Sequence, residues 1–193
     1  MLKLKPIELI CLFIATCYLG CSPYEKQSDI NFTLVDSTNN SSNLVSVQLF
    51  DVQDEIFAAV AGEKKTMEVY AVNEQGKLDV LEEHQVSNKP GGTRALTKIQ
   101  VKDLSFFALG NKADNSLEIY SVNNNGKLKK INAVYDTDST YIDEIVTIHT
   151  ITMKDKTFIY AGGLDKGLTC FEIANTGALR HVQSIEDNEA LFL

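Results

Sequence analysis

The chain has 193 residues, of which 44% are hydrophobic and 23% are charged, and its formal net charge is −8 at pH 7. This length and apolar content are typical of one ordinary globular domain and exclude a chain that is disordered throughout. Acidic and basic residues are mixed along the whole sequence without a run of Lys and Arg. Nucleic acid is therefore not expected as a partner, because phosphate binding needs concentrated positive charge.

The first 20 residues are predicted to be a signal peptide rather than part of the fold. Lys3 and Lys5 make a short basic start, and an eleven-residue apolar run from Leu9 to Leu19 follows. This run is too short to span a bilayer and has the shape of a secretory leader, which would form a signal helix. Export is therefore expected.

The end of this leader, Tyr18-Leu19-Gly20-Cys21, resembles the bacterial lipobox, in which a small residue precedes a cysteine that is lipidated. The resemblance implies that Cys21 becomes a lipid-bearing N-terminus. The polar residues that follow indicate a tether at residues 21–29. An ordinary signal peptide with a chance cysteine is the alternative. We expect a lipoprotein of the bacterial cell envelope, bound to the membrane through this lipid and facing the periplasm or the cell surface, with a secreted protein as the alternative.

The domain is predicted to occupy residues 30–193. Its first segment, residues 30–36, alternates apolar and polar side chains, which is typical of a β-strand, and a turn-rich polar segment follows. No partner strand precedes this segment. It is interpreted as an orphan outer strand of a sheet whose other strands lie elsewhere.

One stretch then occurs three times. Met67 to Leu78 returns as Leu117 to Leu128 and, with more changes, as Leu168 to Leu179. The glycines of the three turns, which are 50 and 51 residues apart, are Gly76, Gly126 and Gly177. A fixed period of about 50 residues is in the range of propeller blades. Each unit predicts four short strands, and helix should be nearly absent because no segment carries a sustained 3.6-residue period.

The second predicted strand of each unit is apolar on both faces, as in Phe106-Phe107-Ala108-Leu109 and Phe158-Ile159-Tyr160. A strand with one face in water should alternate, so these sheets must be covered on both sides. Blades stacked side by side satisfy this requirement. We therefore predict an all-β fold, a partial β-propeller of about three four-stranded antiparallel blades at residues 44–88, 91–139 and 144–187.

A family resemblance appears in the third unit. Phe158 to Gly163, Leu168 to Ile173 and Asn175 to Leu179 look like the repeat of the seven-bladed lactonase-like propellers, which include 6-phosphogluconolactonase-type proteins. The resemblance covers residues 44–193. It implies a central site lined by polar and charged residues, often with a His after a Gly-Gly turn. The matching stretch here, Pro90 to Arg94, contains no His.

Few residues are candidates for chemistry. His149 lies in a predicted first strand, which in a propeller faces the central channel, and Arg94 follows the Gly-Gly turn, so these two are the catalytic candidates. A strand histidine with a structural role is the alternative. An acidic loop could hold Ca²⁺ through its oxygens, although a solvated turn is the alternative. Its candidate ligands are Asp136, Asp138, Asp143 and Glu144. No cofactor is predicted.

Cys170 occupies the place that Val69 and Ile119 hold in the other units, and is expected to be a small core hydrophobe rather than a nucleophile. A closed ring at about 50 residues per blade needs some 300 to 400 residues, so self-association or other propeller blades are expected as partners. Two functions remain open. The first is an exported, lipid-anchored binding or scaffolding module, and the alternative is a lactonase-type hydrolase that needs further blades or partner chains.

Overall fold

The computed structural model describes residues 44–63, 66–87, 89, 91–164 and 167–186. The predicted signal helix, Cys21, the tether and the strand at residues 30–36 lie outside this part of the chain. Within the described ranges there is no helix. The same residues therefore include no helix that is long and apolar enough to cross a membrane.

The described residues form three four-stranded sheets. The first sheet consists of β1 (Leu44–Val52), β2 (Glu55–Gly62), β3 (Thr66–Val72) and β4 (Leu78–Gln85). The second consists of β5 (Thr93–Val101), β6 (Leu104–Asn111), β7 (Ser116–Val122) and β8 (Leu128–Tyr135). The third consists of β9 (Thr147–Met153), β10 (Lys156–Gly162), β11 (Gly167–Ile173) and β12 (Leu179–Glu186). Within each sheet, every strand pairs with the next along the chain, and all pairs are antiparallel, which confirms the predicted all-β fold of three four-stranded units.

The repeated motif encodes the turn between the third and fourth strands. Asn73 begins this turn in the first sheet, and its side-chain oxygen accepts the N–H groups of Gln75 and Lys77, both at 3.0 Å. Asn123 does the same for the equivalent residues in the second sheet. The turn glycine has φ between 75° and 79° in all three sheets, a conformation that glycine adopts without steric cost. The motif thus specifies a tight turn at the same place in each sheet.

Two apolar cores lie between the sheets. The core between the first and second sheets includes Phe50, Phe57, Val69, Phe107, Leu109 and Tyr120. The core between the second and third sheets includes Ile99, Phe106, Ile119, Ile148, Ile159 and Phe171. The adjacent residues Phe106 and Phe107 enter opposite cores, which shows that the second sheet is covered on both faces. Burial of each such ring contributes about 1.5–3 kcal/mol, so these cores hold the sheets together.

The three sheets share one register. A β-bulge interrupts the pairing of the third and fourth strands at the same place in each, after Val69, Ile119 and Cys170. We call the face that a sheet turns toward the next sheet along the chain its leading face, which carries Phe57 in the first sheet and Phe106 in the second. The opposite face, toward the preceding sheet, is the trailing face.

Candidate functional site

A polar cleft of about 700 Å³ lies at the edge of the second sheet where the first and second strands turn. Its walls come from all three sheets, since β1 supplies Asp51, the second sheet supplies most of the lining, and the turn after β11 supplies Asn175 and Thr176. The polar lining residues are Asp51, Lys98, Gln100, Asp103, Ser105, Ser121, Asn123, Asn124, Asn175 and Thr176. Amide, hydroxyl, carboxylate and ammonium groups therefore face one space.

An opposite-charge pair joins two sheets at this cleft. Lys98 Nζ lies 3.5 Å from Asp51 Oδ1, across the boundary between β5 and β1. The Asp51 side chain is 80% exposed, so water screens the pair and its contribution to folding stability is small. Both charges can therefore exchange their mutual contact for a bound ligand at little cost.

Gln100 is held in one orientation by the turn that follows it. Its side-chain nitrogen donates to the Lys102 carbonyl at 2.8 Å, and the Ser105 hydroxyl donates to its side-chain oxygen at 2.9 Å. Lys102 has a φ of 53°, which closes the two-residue turn between β5 and β6. The floor of the cleft is thus a braced hairpin, whereas Asn124 and Asn175 are exposed on its rim.

The third sheet reaches the cleft through its turn. Gly177 packs so closely on Ile131 and Phe106 of the second sheet that a Cβ atom at this position would overlap Ile131. Asn132 donates from its side-chain nitrogen to the Gly177 carbonyl at 3.2 Å. These contacts fix the turn and place its neighbours Asn175 and Thr176 on the cleft wall.

The two predicted catalytic residues lie apart from this cleft. His149 is exposed in β9 and pairs in register with Tyr160, which places it on the leading face of the third sheet. Arg94 is partly buried at the β-bulge near the start of β5. Neither residue lines the polar cleft, and they lie on different sheets.

The acidic loop uses several of its oxygens internally. Asp136 Oδ1 accepts hydrogen bonds from the Thr140 hydroxyl at 3.0 Å and from the Ile142 N–H at 3.1 Å. Glu144 Oε2 lies 2.9 Å from Lys112 Nζ of the second sheet. Asp138 is exposed, and the Asp143 carbonyl accepts the N–H of residue 164. In the described ranges, no three His, Cys, Asp or Glu side chains are grouped to hold a metal ion.

A buried polar network in the second sheet was not predicted from the sequence. Glu118 is 1% exposed and accepts hydrogen bonds from Tyr120 at 2.7 Å and from the Asn111 amide at 3.1 Å, while Lys130 Nζ lies 2.5 Å away. Burial, reinforced by the negative charge of Glu118, raises the pKa of Tyr120. The signal was available, because Glu68 and Tyr70 repeat the same pattern in the first sheet.

A second, smaller polar cleft of about 260 Å³ opens beside this network. Gln85, Val86, Ser87 and Asp114 line it. Lys89 Nζ lies 3.0 Å from Asp114 Oδ1, and this contact lowers the pKa of the Asp114 carboxyl. The ion pair already neutralises the only carboxylate among these lining residues.

Four-stranded antiparallel sheets stacked face to face, each strand beside its neighbour in sequence, define a β-propeller-type protein with three blades in the described part. Solved structures share this fold. A proposed 6-phosphogluconolactonase from Bacteroides fragilis matches with a TM-score of 0.57 and 21% identity over 72% of this chain and 38% of that one. The periplasmic gluconolactonase of Pseudomonas aeruginosa matches with a TM-score of 0.56 and 19% identity over 74% and 40%.

Other chemistry occurs on the same fold. An exo-β-1,3-galactanase from Phanerochaete chrysosporium matches with a TM-score of 0.55 and 8% identity, over 74% of this chain and 36% of that one. The chain thus spans about two fifths of the length of these structures. No protein-family model and no curated protein sequence matches it. At these identities the likeness shows the fold alone.

Proposed function

We propose that this chain is an exported, lipid-anchored propeller-blade protein of the bacterial cell envelope, and that it acts as a binding module for a polyhydroxylated ligand such as a sugar or a sugar acid. The observation that carries the proposal is the polar cleft of about 700 Å³, to which all three sheets contribute side chains. Its volume is in the range of small-molecule sites.

The lining chemistry suits such a ligand. A sugar hydroxyl both donates and accepts hydrogen bonds, and the amides of Gln100 and Asn124 can do the same. Asp51 accepts only, while Lys98 donates and carries the positive charge that a sugar carboxylate needs. Proteins of similar fold that are named for sugar lactones and galactans support this ligand class.

Titration calorimetry with D-gluconate tests the binding function. We expect saturable binding by the full chain, and about tenfold weaker binding after Lys98→Met, because the carboxylate then loses its charged partner. Lys129→Met is the matched control, since Lys129 is exposed on β8 and does not line the cleft. Absence of binding by D-gluconate and by neutral D-galactose would reject the proposed ligand class.

The proposed anchor rests on the leader and on Cys21, and it has its own test. In a bacterial host grown with labelled palmitate, we expect the wild-type chain to incorporate label and Cys21→Ala to incorporate none. Equal labelling of both proteins, or of neither, would contradict lipidation at this cysteine. The outcome is independent of the binding measurement.

A lactonase-type hydrolase is the second candidate function. The observation that favours it is the fold shared with a gluconolactonase and a proposed 6-phosphogluconolactonase. The test is hydrolysis of D-glucono-1,5-lactone above the spontaneous rate, in which water adds to the carbonyl carbon and the ring C–O bond breaks. Loss of turnover in His149→Ala or Arg94→Ala would support this function, and absence of turnover by the full chain would remove it.

A further inference from the structure

The leading faces of the second and third sheets carry equivalent apolar residues in different environments. In the second sheet, Ile99, Val101 and Leu117 are at most 3% exposed because the third sheet covers them. Their equivalents in the third sheet, Ile151, Met153 and Leu168, are 40–49% exposed. The same pattern that makes a core in one sheet therefore makes an open surface in the next.

This open surface contains an apolar groove of about 300 Å³. The groove is lined mainly by Met153, Phe158, Tyr160, Leu168, Cys170 and Ile185. Cys170 holds the place of Val69 and Ile119, which are both fully buried between sheets. The third sheet thus presents the residues that elsewhere receive a following sheet, and no following sheet is present in the described part of the chain.

The trailing face of the first sheet, at the opposite end of the stack, also carries exposed apolar residues. Val47 on the trailing face of the first sheet takes the place of Leu96 and Ile148, which are 3% and 5% exposed, whereas Val47 is 52% exposed. Three further apolar residues of this face are at least half exposed. They are Leu49, Ile56 and Val80. A large exposed apolar surface of this kind marks an interaction site.

The junctions within the chain show how one sheet meets the next. The turn glycine of each following sheet lies against the third residue of the preceding sheet's second strand, so that Gly126 covers Phe57 and Gly177 lies beside Phe106. Both glycines are buried. At the ends of the stack the two halves of this contact remain apart, because Gly76 is exposed and Phe158 is only partly buried.

A polar contact to the turn of the following sheet also recurs at both internal junctions. Glu82 accepts the Leu128 N–H at 2.5 Å, and Asn132 donates to the Gly177 carbonyl at 3.2 Å, so each side chain bridges to the turn of the following sheet. Glu82 and Asn132 pair in register with Val69 and Ile119. In the third sheet this position is Gln183, which pairs with Cys170 and is exposed.

We propose that the leading face of the third sheet binds the trailing face of the first sheet in a second copy of this chain. Gly76 of one copy then covers Phe158 of the other, and Gln183 bridges to the turn at Gly76. One face of each kind per chain gives two identical junctions about a two-fold axis, and two chains close a ring of six sheets. The exposed ends are thereby buried without any new kind of contact.

The second copy is the occupant that the geometry favours. Its first sheet offers both an exposed turn glycine and an apolar trailing face, which are the two features that the internal junctions use. Two leading faces packed together would oppose Phe158 to Phe158 and supply no turn glycine. The inference rests on the fold alone and is independent of the proposed ligand.

Sedimentation equilibrium of the full chain in a density-matched, non-denaturing detergent tests the proposal. We expect twice the mass of one chain, which is 21.4 kDa when the leader is retained. Leu168→Glu on the leading face and Val80→Glu on the trailing face should each weaken the dimer about a hundredfold or more, because each places a carboxylate in both apolar junctions. Tyr135→Glu is the matched control, since Tyr135 is 56% exposed on the second sheet.

Mixing the two variants distinguishes a head-to-tail junction from other dimers. A mixed dimer of Leu168→Glu and Val80→Glu contains one junction with both carboxylates and one that is unchanged, so we expect association to be partly restored. Sensitivity to Leu168→Glu alone would show that two leading faces pair, and would overturn the proposal. A monomeric wild type, a polymer larger than two chains, or a dimer that neither variant weakens would also overturn it.

Discussion

The second and third sheets are built from the same repeat, yet the second is covered on both faces and the third on one. Phe106 and Phe158 both occupy the third position of the second strand and belong to leading faces. Phe106 is 4% exposed under the following sheet, whereas Phe158 lines an open groove. The repeat therefore specifies which residues form the surface of a sheet, while the presence of a neighbouring sheet decides whether that surface is buried.

The largest expected difference concerns these two rings. Phe106→Ala should lower the free energy of unfolding by about 3–5 kcal/mol, because it leaves a cavity between packed sheets. Phe158→Ala should lower it by less than about 2 kcal/mol, since part of that ring remains in water. Urea unfolding of both variants measures these two losses in the free energy of unfolding. Both variants are made in a Val80→Glu background, which keeps the end faces apart. Equal losses would contradict the open leading face.

The buried network of the second sheet has a less buried equivalent in the first sheet. Glu118→Ala should lower the free energy of unfolding by about 2–4 kcal/mol, because Tyr120 and Asn111 lose a buried acceptor. Glu68 holds the equivalent place in the first sheet and is only partly buried, so Glu68→Ala should cost about 1 kcal/mol. Thermal and urea unfolding measure these losses in the free energy of unfolding. The loss for Glu118→Gln, which keeps an acceptor, should lie between those of the two alanine variants.

Alanine substitutions at two turn glycines distinguish the stability cost of backbone strain from that of packing. Gly76→Ala and Gly126→Ala both force alanine to a φ of 75°, at a cost of about 1 kcal/mol. At Gly126 the added Cβ would also lie 2.5 Å from the Phe57 ring, so this variant should lose about 1–3 kcal/mol more. Unfolding in a Leu168→Glu background isolates this difference, and its absence would show that the turn does not press on Phe57.

The smallest expected effect is a dependence on pH at Asp114. Lys89 lowers the pKa of this carboxyl in the folded state, so its contribution to stability is complete above the usual carboxyl pKa. That contribution disappears as the pH falls through the lower folded value. Because the pair is at the surface, it is worth about 0.5 kcal/mol. Asp114→Asn should flatten the stability profile below about pH 4, whereas Asp138→Asn, on the exposed loop, serves as the control.

Much of the fold was predictable from the sequence, because the repeat period, the turn residues and the apolar strands all indicate the same architecture. The repeated Asn and Gly of the third turn and the doubly apolar second strands predict four-stranded units covered on both sides, and the sheets have this form. The start of strand β5 at Thr93 was not predictable, because a β-bulge between Thr93 and Ala95 breaks the alternation of its side chains.

The site was less predictable, because the charged pair that joins two sheets at the cleft does not recur in the other units. Asp51 and Lys98 are 47 residues apart and meet only where the first two sheets pack. Neither residue type nor spacing marks that contact in the sequence. The place of His149 in a first strand predicts that it faces the central channel, but the direction of a strand side chain depends on register, which places His149 on the leading face.

Amide hydrogen exchange, compared between the wild type and Leu168→Glu, tests most directly the claim that a covering sheet decides which surfaces are core. We expect β9 to β12 to exchange at least about tenfold faster in the variant, since their leading face is then open, while β5 to β8 keep their protection under two neighbours. Unchanged protection of the third sheet, or equal loss in both sheets, would contradict the account.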